Sequence, residues 1–274
     1  MFVCPVCQSP LHRQDKSYQC PVGHQFDVAR EGYVNLLLAN QKRSAEPGDN
    51  AAMIRSRRVF LEAGYYAPLR TRIIDILLVY IELQDDRAGR VLDVGCGEGY
   101  YLGGLQSQFA PQPLVFAGVD VSKFAIKAAA RRYPAIEFAV AGAHRLPVAD
   151  ASVDYLLSIF APRAWTEFFR VLKPAGKMLI VSPGPRHLWQ LKQMIYAEPQ
   201  LHEAQIDTPD GFTLRYVTSL DYDLLLPDQA ATQQLLVMTP FYWHMTQEQQ
   251  ESVANLAWLT TIVDFQIHVF EKIT

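Results

Sequence analysis

The stretch that decides the fold is Val91-Leu92-Asp93-Val94-Gly95-Cys96-Gly97-Glu98-Gly99. An apolar run that carries one acid ends in three glycines at alternate positions, and a helix-like stretch follows at once. This order is typical of a buried strand, a tight turn and a helix start, because glycine tolerates unusual dihedral angles and lets a ligand approach the main chain. A second acid, Asp120, ends the next apolar run, Val115–Asp120. A carboxylate there can accept both hydroxyls of a ribose, so the sequence predicts a nucleoside site.

The spacing of the glycines indicates which nucleoside binds. Dinucleotide folds use Gly-x-Gly-x-x-Gly and place a pyrophosphate on the helix N-terminus. Here the pattern is Gly-x-Gly-x-Gly with Glu98 inside the loop, and an acid there would repel a pyrophosphate but tolerate a cationic ligand without phosphate. The segment resembles motif I of the class I S-adenosylmethionine (SAM) methyltransferases. The alternative is a glycine-rich turn of some other α/β protein, which the second acid disfavours.

Strands and helices alternate from Arg90 onward. The predicted strands are Val91–Val94, Val115–Asp120, Ile136–Val140, Val153–Phe160 and Lys177–Val181, and the predicted helices are Tyr65–Leu83, Tyr100–Ser107, Lys123–Tyr133 and Ala164–Leu172. Such alternation predicts a parallel sheet covered by helices on both faces, with ligands at the carboxyl ends of the strands. The alternating segment Phe265–Phe270 predicts a late antiparallel strand. The resemblance to class I methyltransferases therefore implies an α/β fold, a Rossmann-like, mixed seven-stranded sheet.

Three of the four cysteines fall within the first 20 residues, in the pairs Cys4-Pro5-Val6-Cys7 and Cys20-Pro21-Val22-Gly23-His24. Two chelating pairs on tight turns can bring three thiolates and an imidazole to the corners of a tetrahedron, which zinc prefers. The predicted ligands are Cys4, Cys7, Cys20 and His24. They leave no open position, so the zinc is structural and supplies the folding free energy that so short a segment lacks. The alternatives are disulfides, which a cytosolic chain disfavours, and a redox pair, which normally needs a βαβ unit.

Composition excludes several classes of protein. The chain has 274 residues, of which 50% are hydrophobic and 19% charged, as in an ordinary globular protein with a full core. Its apolar runs fall short of a membrane span, and no basic region precedes an apolar stretch at the N-terminus, so we expect a cytoplasmic protein. Residues 1–60 hold eight basic and five acidic residues although the net charge is −3. This imbalance favours an anionic partner or, equally, a solvated basic surface.

A wider set of motifs resembles the RlmA group of 23S ribosomal RNA guanine-N1 methyltransferases, and most of all its Gram-negative type. The N-terminal finger carries the resemblance together with Phe26-Asp27, Glu31–Leu36, Pro47–Asp49, Gly95–Tyr101, Asp120–Lys123, Ala125–Ala129 and Pro183–Leu188. The resemblance implies three segments: a zinc-binding RNA-recognition module at residues 1–36, a linker and basic helix start at 37–64, and a SAM-dependent methyltransferase domain at 65–274.

The resemblance also implies an activity and partners. It implies methyl transfer from SAM to N1 of one guanine in the helix 35 hairpin loop of 23S rRNA, by a homodimer with a basic cleft. The segment after the fourth strand, Ser158–Arg163, lacks the Asn-Pro-Pro-Tyr type tetrapeptide of exocyclic-amine methyltransferases, which is compatible with a ring-nitrogen acceptor. The alternative is a small-molecule SAM methyltransferase with a purely structural finger. A binding protein that has lost catalysis is disfavoured by the complete glycine loop.

Site residues follow from the match to the family. Gly95, Gly97 and Glu98 are expected to line the methionine side of SAM. Gly99 belongs to the same set of cofactor residues, and Asp120 is expected to bind the ribose. Asp93 is expected to order the loop. The position that matches Tyr66 contacts SAM in the family. A core aromatic role remains open for Tyr66. His187 follows the fifth strand and is expected to contact cofactor or substrate or to serve as the base, with a structural hydrogen bond as the alternative.

The acceptor base needs further groups. A ring nitrogen that carries a proton calls for a base, and a loop base must be held outside its stack between aromatic or guanidinium planes. The aromatic candidates are Phe160, Tyr196, Phe241, Tyr242 and Trp243, each of which could instead belong to the core. The cluster Arg55, Arg57 and Arg58 could grip phosphate oxygens or form a solvated helix face.

Overall fold

The computed structural model describes residues 1–41, 44, 47–82, 88–203, 206–239, 241–242 and 245–273. Short elements come first. They are strands β1 (His12–Gln14), β2 (Ser17–Gln19), β3 (Gln25–Asp27) and β4 (Val34–Asn35), followed by helices α1 (Ala51–Glu62) and α2 (Ala67–Glu82). Asn50 starts α1, since its side chain accepts the backbone N–H groups of Ala52 and Met53.

The remaining elements agree with the predicted strands and helices as far as the fifth predicted strand, and further elements that were not predicted follow it before the last strand. In chain order, the remaining elements are β5 (Gly89–Val94), α3 (Tyr100–Gln108), β6 (Leu114–Asp120), α4 (Lys123–Arg132), β7 (Glu137–Val140), β8 (Val153–Ile159), α5 (Trp165–Val171), β9 (Leu172–Pro183), α6 (Trp189–Ile195), β10 (Phe212–Leu226), α7 (Gln229–Met238), α8 (Gln247–Ala254) and β11 (Leu259–Lys272). The predicted end of the helix before the first of these strands, Leu83, lies outside the described residues. Strand β9 begins at Leu172, well before the predicted Lys177.

The main sheet has the order β10-β11-β9-β8-β5-β6-β7-β4. Strands β4 to β9 pair in parallel, whereas β11 runs antiparallel to both β9 and β10. The predicted mixed α/β fold and the antiparallel strand at Phe265–Phe270 are confirmed. The predicted count of seven strands is wrong by one for the described residues, because Val34–Asn35 adds an eighth strand beside Ala139–Val140. A strand of two residues is too short to leave a periodic signal in the sequence.

The N-terminal residues, which include the predicted module at 1–36, pack directly on the main sheet. The backbone N–H of Val3 donates to the carbonyl of Pro147 at 2.9 Å, and Phe2 pairs with Val148. Phe2 and Tyr18 are buried in the same apolar cluster as Val94 of β5. The module is therefore anchored to the loop that follows β7, and the two regions share one core.

The order of strands places a switch point between β5 and β8, because the chain turns from β5 towards β6 on one side and returns to β8 on the other. Open α/β sheets bind ligands outside the carboxyl ends of the strands at such a point. Among the described residues, no helix has the length and apolar character needed to cross a bilayer.

Candidate functional site

The four predicted metal ligands meet at one point in the N-terminal module. The ligand atoms of Cys4, Cys7, Cys20 and His24 all lie within 4.8 Å of one another. The Sγ atom of Cys7 is 3.7 Å from that of Cys20, whose Sγ is 3.4 Å from Nδ1 of His24. Zinc bonded at about 2.3 Å to sulfur and about 2.1 Å to nitrogen would require tetrahedral edges of roughly 3.5–3.8 Å. These distances fit a structural zinc ion.

Two tight turns hold the ligands. The N–H of Gln8 donates to the carbonyl of Cys4 at 2.8 Å, and the N–H of Gly23 donates to the carbonyl of Cys20 at 3.0 Å. Gly23 has φ +97°, a left-handed conformation that suits glycine. Backbone hydrogen bonding from Ser9 lowers the pKa of Cys7 to about 6, which favours the thiolate that zinc binds.

A cleft of about 1320 Å³ opens at the carboxyl ends of the parallel strands. Small-molecule pockets usually measure roughly 300–1,000 Å³, so this cleft has room for a cofactor and for part of a second reactant. Its lining includes most of the predicted cofactor residues, namely Tyr66, Asp93, Gly95, Gly97, Glu98, Asp120 and His187. Gly99 lies beneath it at the start of α3.

Two glycines of the glycine loop differ in their surroundings, since Gly95 lies against a neighbouring residue and Gly97 faces open space. A Cβ atom on Gly95 would lie 2.3 Å from Cβ of Ala161, whereas one on Gly97 would meet only Nη1 of Arg57, at 3.8 Å, within 4 Å. Both glycines have positive φ, as does Gly99, which caps α3 in the left-handed region. The free space above Gly97 fits a ligand that lies against the main chain.

Two acids lie side by side at this loop. Oδ2 of Asp120 accepts the N–H of Gly97 at 2.9 Å, and its Oδ1 accepts the N–H of Ser122 at 2.7 Å, so the carboxylate is fixed at the end of β6. Asp93 is 1% exposed, and its Oδ1 has no partner among the described residues. Burial, reinforced by the charge of Asp120, raises the pKa of Asp93 to about 8. A cationic ligand beside this pair would be favoured electrostatically.

Glu98 is buried without a hydrogen-bond partner. Its side chain is 1% exposed, neither carboxyl oxygen finds a donor in the part of the chain that the structure describes, and Nη1 of Arg132 is 3.9 Å away. Burial raises the pKa of Glu98 to about 7, although the charges of Arg132 and Arg58 act in the opposite direction. The loop therefore carries an acid that is only partly ionised near neutral pH.

Tyr66 and His187 meet at the far wall of the cleft. Nε2 of His187 lies 3.5 Å from the hydroxyl of Tyr66, and its Nδ1 accepts the backbone N–H of Asp264 at 3.3 Å. Because Nδ1 is an acceptor, the ring hydrogen sits on Nε2 and faces Tyr66. Burial lowers the pKa of His187 to about 3. With both ring nitrogens engaged, the geometry favours the contact role of His187 over the role of general base.

The loop that carries His187 is fixed by β11. The N–H of Gly184 donates to the carbonyl of Asp264 at 2.7 Å, and the N–H of Arg186 donates to its Oδ2 at 2.9 Å. A Cβ atom on Gly184 would lie 2.1 Å from Oδ1 of Asp264. Only glycine fits there, which explains why this Pro-Gly-Pro stretch can deliver His187 to the cleft.

The aromatic candidates divide by position. Phe160 lines the cleft with φ +53° and 43% of its surface exposed, and it stacks on His187 at 6.2 Å between ring centroids. A left-handed non-glycine residue at the end of a strand is strained, and such strain concentrates at functional sites. Phe241 also lines the cleft, whereas Tyr196 and Tyr242 pack against the core. Trp243 lies outside the described residues.

The arginine cluster is split by its partners. Arg57 faces the cleft and forms an ion pair with Asp49, whereas Arg58 pairs with Glu62 at 3.0 Å and Arg55 is exposed. Sequence reasoning missed Tyr101 and His202, which also line the cleft. Tyr101 directly follows the glycine loop, and that position was the available signal; no pattern around His202 points to the cleft.

Comparisons with known proteins agree with this geometry. The family model described as "RlmA, N-terminal", a zinc ribbon, matches residues 2–45, and the model described as "Methyltransferase domain" matches residues 91–176. These matches confirm the predicted SAM-dependent methyltransferase with one structural zinc.

Relatives extend the match to nearly the whole chain. The chain is 32% identical to the 23S rRNA (guanine(748)-N(1))-methyltransferase of Streptomyces fradiae over 97% of its own length and 93% of that protein. It is 32% identical, over 99% of its length and 97% of the relative, to a Bacillus subtilis protein described as a 23S rRNA (guanine-N(1)-)-methyltransferase. A Micromonospora griseorubida protein with the same description is 40% identical over 69% of this chain and 67% of its own length. The chain therefore belongs to the RlmA family of 23S rRNA (guanine-N1)-methyltransferases.

Proposed function

We propose that this protein transfers a methyl group from SAM to N1 of one guanine in the helix 35 hairpin loop of 23S rRNA. The observation that carries the proposal is the full-length relationship to the Streptomyces fradiae enzyme, which includes both the zinc ribbon and the methyltransferase domain. A small-molecule methyltransferase would share the domain at 91–176 but would have no need of the ribbon.

The cofactor residues have distinct roles in this proposal. Asp120 accepts the ribose hydroxyls, and Gly95, Gly97 and Glu98 lie along the methionine. Asp93 orders the loop from within the sheet, and Gly99 begins the helix whose N-terminus faces the cofactor. Tyr66 and His187 close the methionine end as neutral hydrogen-bonding groups, since burial raises the pKa of Tyr66 and lowers that of His187. Neutral groups avoid charge repulsion with a sulfonium.

The acceptor guanine would stack on Phe160. This exposed aromatic ring follows β8 at its carboxyl end and lines the cleft that holds the cofactor residues. Stacking of a base on an aromatic side chain contributes roughly 1–3 kcal/mol. SAM supplies a methyl group already activated by its sulfonium. The chain has to align the flipped base in line with that methyl and accept the N1 proton.

The partners and the compartment belong to the same proposal. We infer a cytoplasmic homodimer that binds the rRNA hairpin with the module at 1–36 and reads the base with the domain at 65–274. The motifs resemble the Gram-negative type, whereas the relatives described above come from Streptomyces, Bacillus and Micromonospora. The position of the methylated guanine would decide the type.

The test uses purified full-length protein, labelled SAM and 23S rRNA from a strain that lacks this methylation. We expect label in helix 35 at a guanine N1, and primer extension to stop there. Phe160→Ala should lower the rate of transfer by roughly 5- to 150-fold, from the loss of ~1–3 kcal/mol of stacking, with SAM affinity preserved. Phe160→Tyr is the matched control and should retain most activity. Label in a small acceptor but not in RNA would favour the alternative enzyme class.

A further inference from the structure

We propose that Arg57 and the hydroxyl of Tyr101 form a binding subsite for the α-carboxylate of SAM above Gly97. The proposal rests on SAM as the cofactor and not on the identity of the methyl acceptor. Both residues line the cleft, and nothing in the glycine loop itself supplies a cation for the one anionic group of this ligand.

The position of Arg57 follows from its neighbours. Its guanidinium lies over the glycine loop, with Nη1 3.8 Å from the point where a Cβ of Gly97 would stand. Apart from the loop residues Cys96 to Glu98, no other described residue has an atom within 4 Å of that point. A ligand lying against Gly97 would therefore touch Arg57, and a guanidinium donates to a carboxylate with two N–H groups at once.

Asp49 holds Arg57 in this place. The two side chains form an ion pair, and the segment that carries Asp49 is tied to the turn between β6 and α4 because the hydroxyl of Ser122 donates to the backbone carbonyl of Asp49 at 2.6 Å. One carboxylate uses only part of the five donors of an arginine. The remaining N–H groups of Arg57 are available for a second carboxylate.

Tyr101 supplies an independent observation. Its hydroxyl oxygen is buried and has no hydrogen-bond partner among the residues that the structure describes. Burial raises the pKa of Tyr101 well above its usual range, and the neighbouring hydroxyls of Tyr66, Tyr100 and Tyr222 act in the same direction, whereas the charge of Arg57 opposes them more weakly. The hydroxyl is therefore a neutral donor in the cleft that Arg57 also lines. A buried donor without a partner costs free energy, which an incoming carboxylate would recover.

Charge explains why the subsite needs an arginine. Asp93, Glu98 and Asp120 place three acids around the loop, and each of them, when ionised, favours the sulfonium and the ammonium of SAM but opposes its carboxylate. Arg57 offsets this repulsion at the carboxylate end. The subsite would therefore discriminate SAM from a cofactor analogue that keeps both positive charges and lacks only the carboxylate.

The experiment compares SAM with decarboxylated SAM by titration calorimetry on the full-length zinc-loaded protein without RNA. We expect the wild type to bind SAM roughly 10- to 100-fold more tightly, the range for hydrogen bonds to a charged group. Arg57→Gln should weaken SAM binding by this factor and leave the affinity for decarboxylated SAM unchanged. Tyr101→Phe should remove about 3- to 10-fold of the preference.

Controls separate a local effect from a general one. Arg55→Gln removes an exposed arginine of the same helix and should change neither affinity. If Arg57→Gln fails to fold, Arg57→Lys keeps the charge without the planar fork and should show an intermediate preference. Equal weakening of both ligands, or no weakening of either, would overturn the subsite. A wild-type protein that binds neither ligand would instead refute the cofactor assignment.

Discussion

The metal centre and the cofactor cleft use polar groups in opposite ways. The four zinc ligands come from two short turns, and their atoms already stand at tetrahedral distances, with backbone N–H groups closing the turns. The cleft draws on segments from Tyr66 to His187, and Asp93, Glu98 and Tyr101 keep buried polar atoms unpaired within the described structure. The metal centre needs only its ion to be complete, whereas the unpaired polar atoms of the cleft are available to form hydrogen bonds with a ligand.

The two regions nevertheless share one core. Phe2 and Tyr18 of the module are buried with Val94 of β5, and Val3 is hydrogen-bonded to the loop that runs from Ala141 to Val148. The first residues of that loop line the cofactor cleft. The shared core and this loop thus predict a mechanical connection between the metal centre and the cofactor cleft.

The largest effect should come from loss of the metal. Cys20→Ser removes a nearly buried ligand, and we expect zinc content to fall from one per chain to none. The module should then unfold, because structural zinc contributes roughly 10–16 kcal/mol to the folding of small fingers. Elemental analysis and hydrogen exchange over residues 1–36 would measure both changes. Cys96→Ala alters the fourth cysteine and should keep the zinc; a well-folded, zinc-free wild type would contradict the assignment.

A smaller effect should follow when the module keeps its zinc but loses its contact with the sheet. Phe2→Ala truncates a side chain that is 2% exposed, which typically costs about 3–5 kcal/mol. We expect the loop at 141–148 to loosen and the affinity for S-adenosylhomocysteine to fall several-fold, measured by calorimetry on zinc-loaded protein.

The matched control lies in the same module. Val22→Ala trims a side chain that is 66% exposed beside the second metal turn, so it should change neither stability nor affinity. If Phe2→Ala retained wild-type affinity, the module and the cleft would be independent units in spite of their common core.

Alanine substitutions at two glycines of the same loop should differ in their effects on the free energy of unfolding and on SAM affinity. An alanine at either Gly95 or Gly97 costs ~1–2 kcal/mol for the left-handed backbone. At Gly95 the new methyl also overlaps Ala161, so the free energy of unfolding should fall further. At Gly97 the methyl enters open space, so SAM affinity should fall by roughly 5- to 150-fold, from an overlap worth ~1–3 kcal/mol.

Chemical denaturation and calorimetry would measure this pair. Reduced stability with unchanged SAM affinity in Gly97→Ala would mean that the ligand does not lie above this glycine, and the carboxylate subsite beside Arg57 would fail with it.

The sequence predicted the metal centre and the glycine loop because both are local. Cys4 to His24 and Asp93 to Gly99 each encode a turn whose geometry depends on a few neighbouring residues. Asp120 was also predictable, since it ends a strand that must pair beside β5. These positions follow from spacing, chirality and the order of strands in parallel sheets.

Other features depend on contacts between distant segments and leave no local signal. Val34–Asn35 joins the sheet only because β7 offers a free edge. The tautomer of His187 is set by the backbone N–H of Asp264, which is 77 residues away. Arg57 could not be distinguished from Arg55 and Arg58 by sequence, because its ion pair with Asp49 and its place above Gly97 are contacts between separate segments.

A further effect depends on pH and concerns the unpaired acid of the loop. Folding raises the pKa of Glu98 to about 7, so between its ordinary pKa, near 4.5, and pH 7 the folded chain binds more protons than the unfolded chain. Stability should therefore fall as pH rises through this window, which is the opposite of a carboxylate held by a salt bridge. Glu98→Gln removes the penalty and should stabilise the cofactor-free protein by up to about 3 kcal/mol at pH 8, with no gain at pH 4.5.

Glu62→Gln is a control for which we expect the opposite change in stability, because Glu62 interacts with the same arginines as Glu98. Hydrogen bonding from Arg58 lowers the pKa of Glu62, so this variant should lose stability at pH 8 and approach the wild type in acid. Thermal unfolding from pH 4.5 to 8 would record both profiles. If Glu98→Gln gave no gain in stability at pH 8, the carboxylate of Glu98 would already have hydrogen-bond partners in the free protein. Glu98 would then not be one of the unpaired groups that distinguish the cleft from the zinc centre.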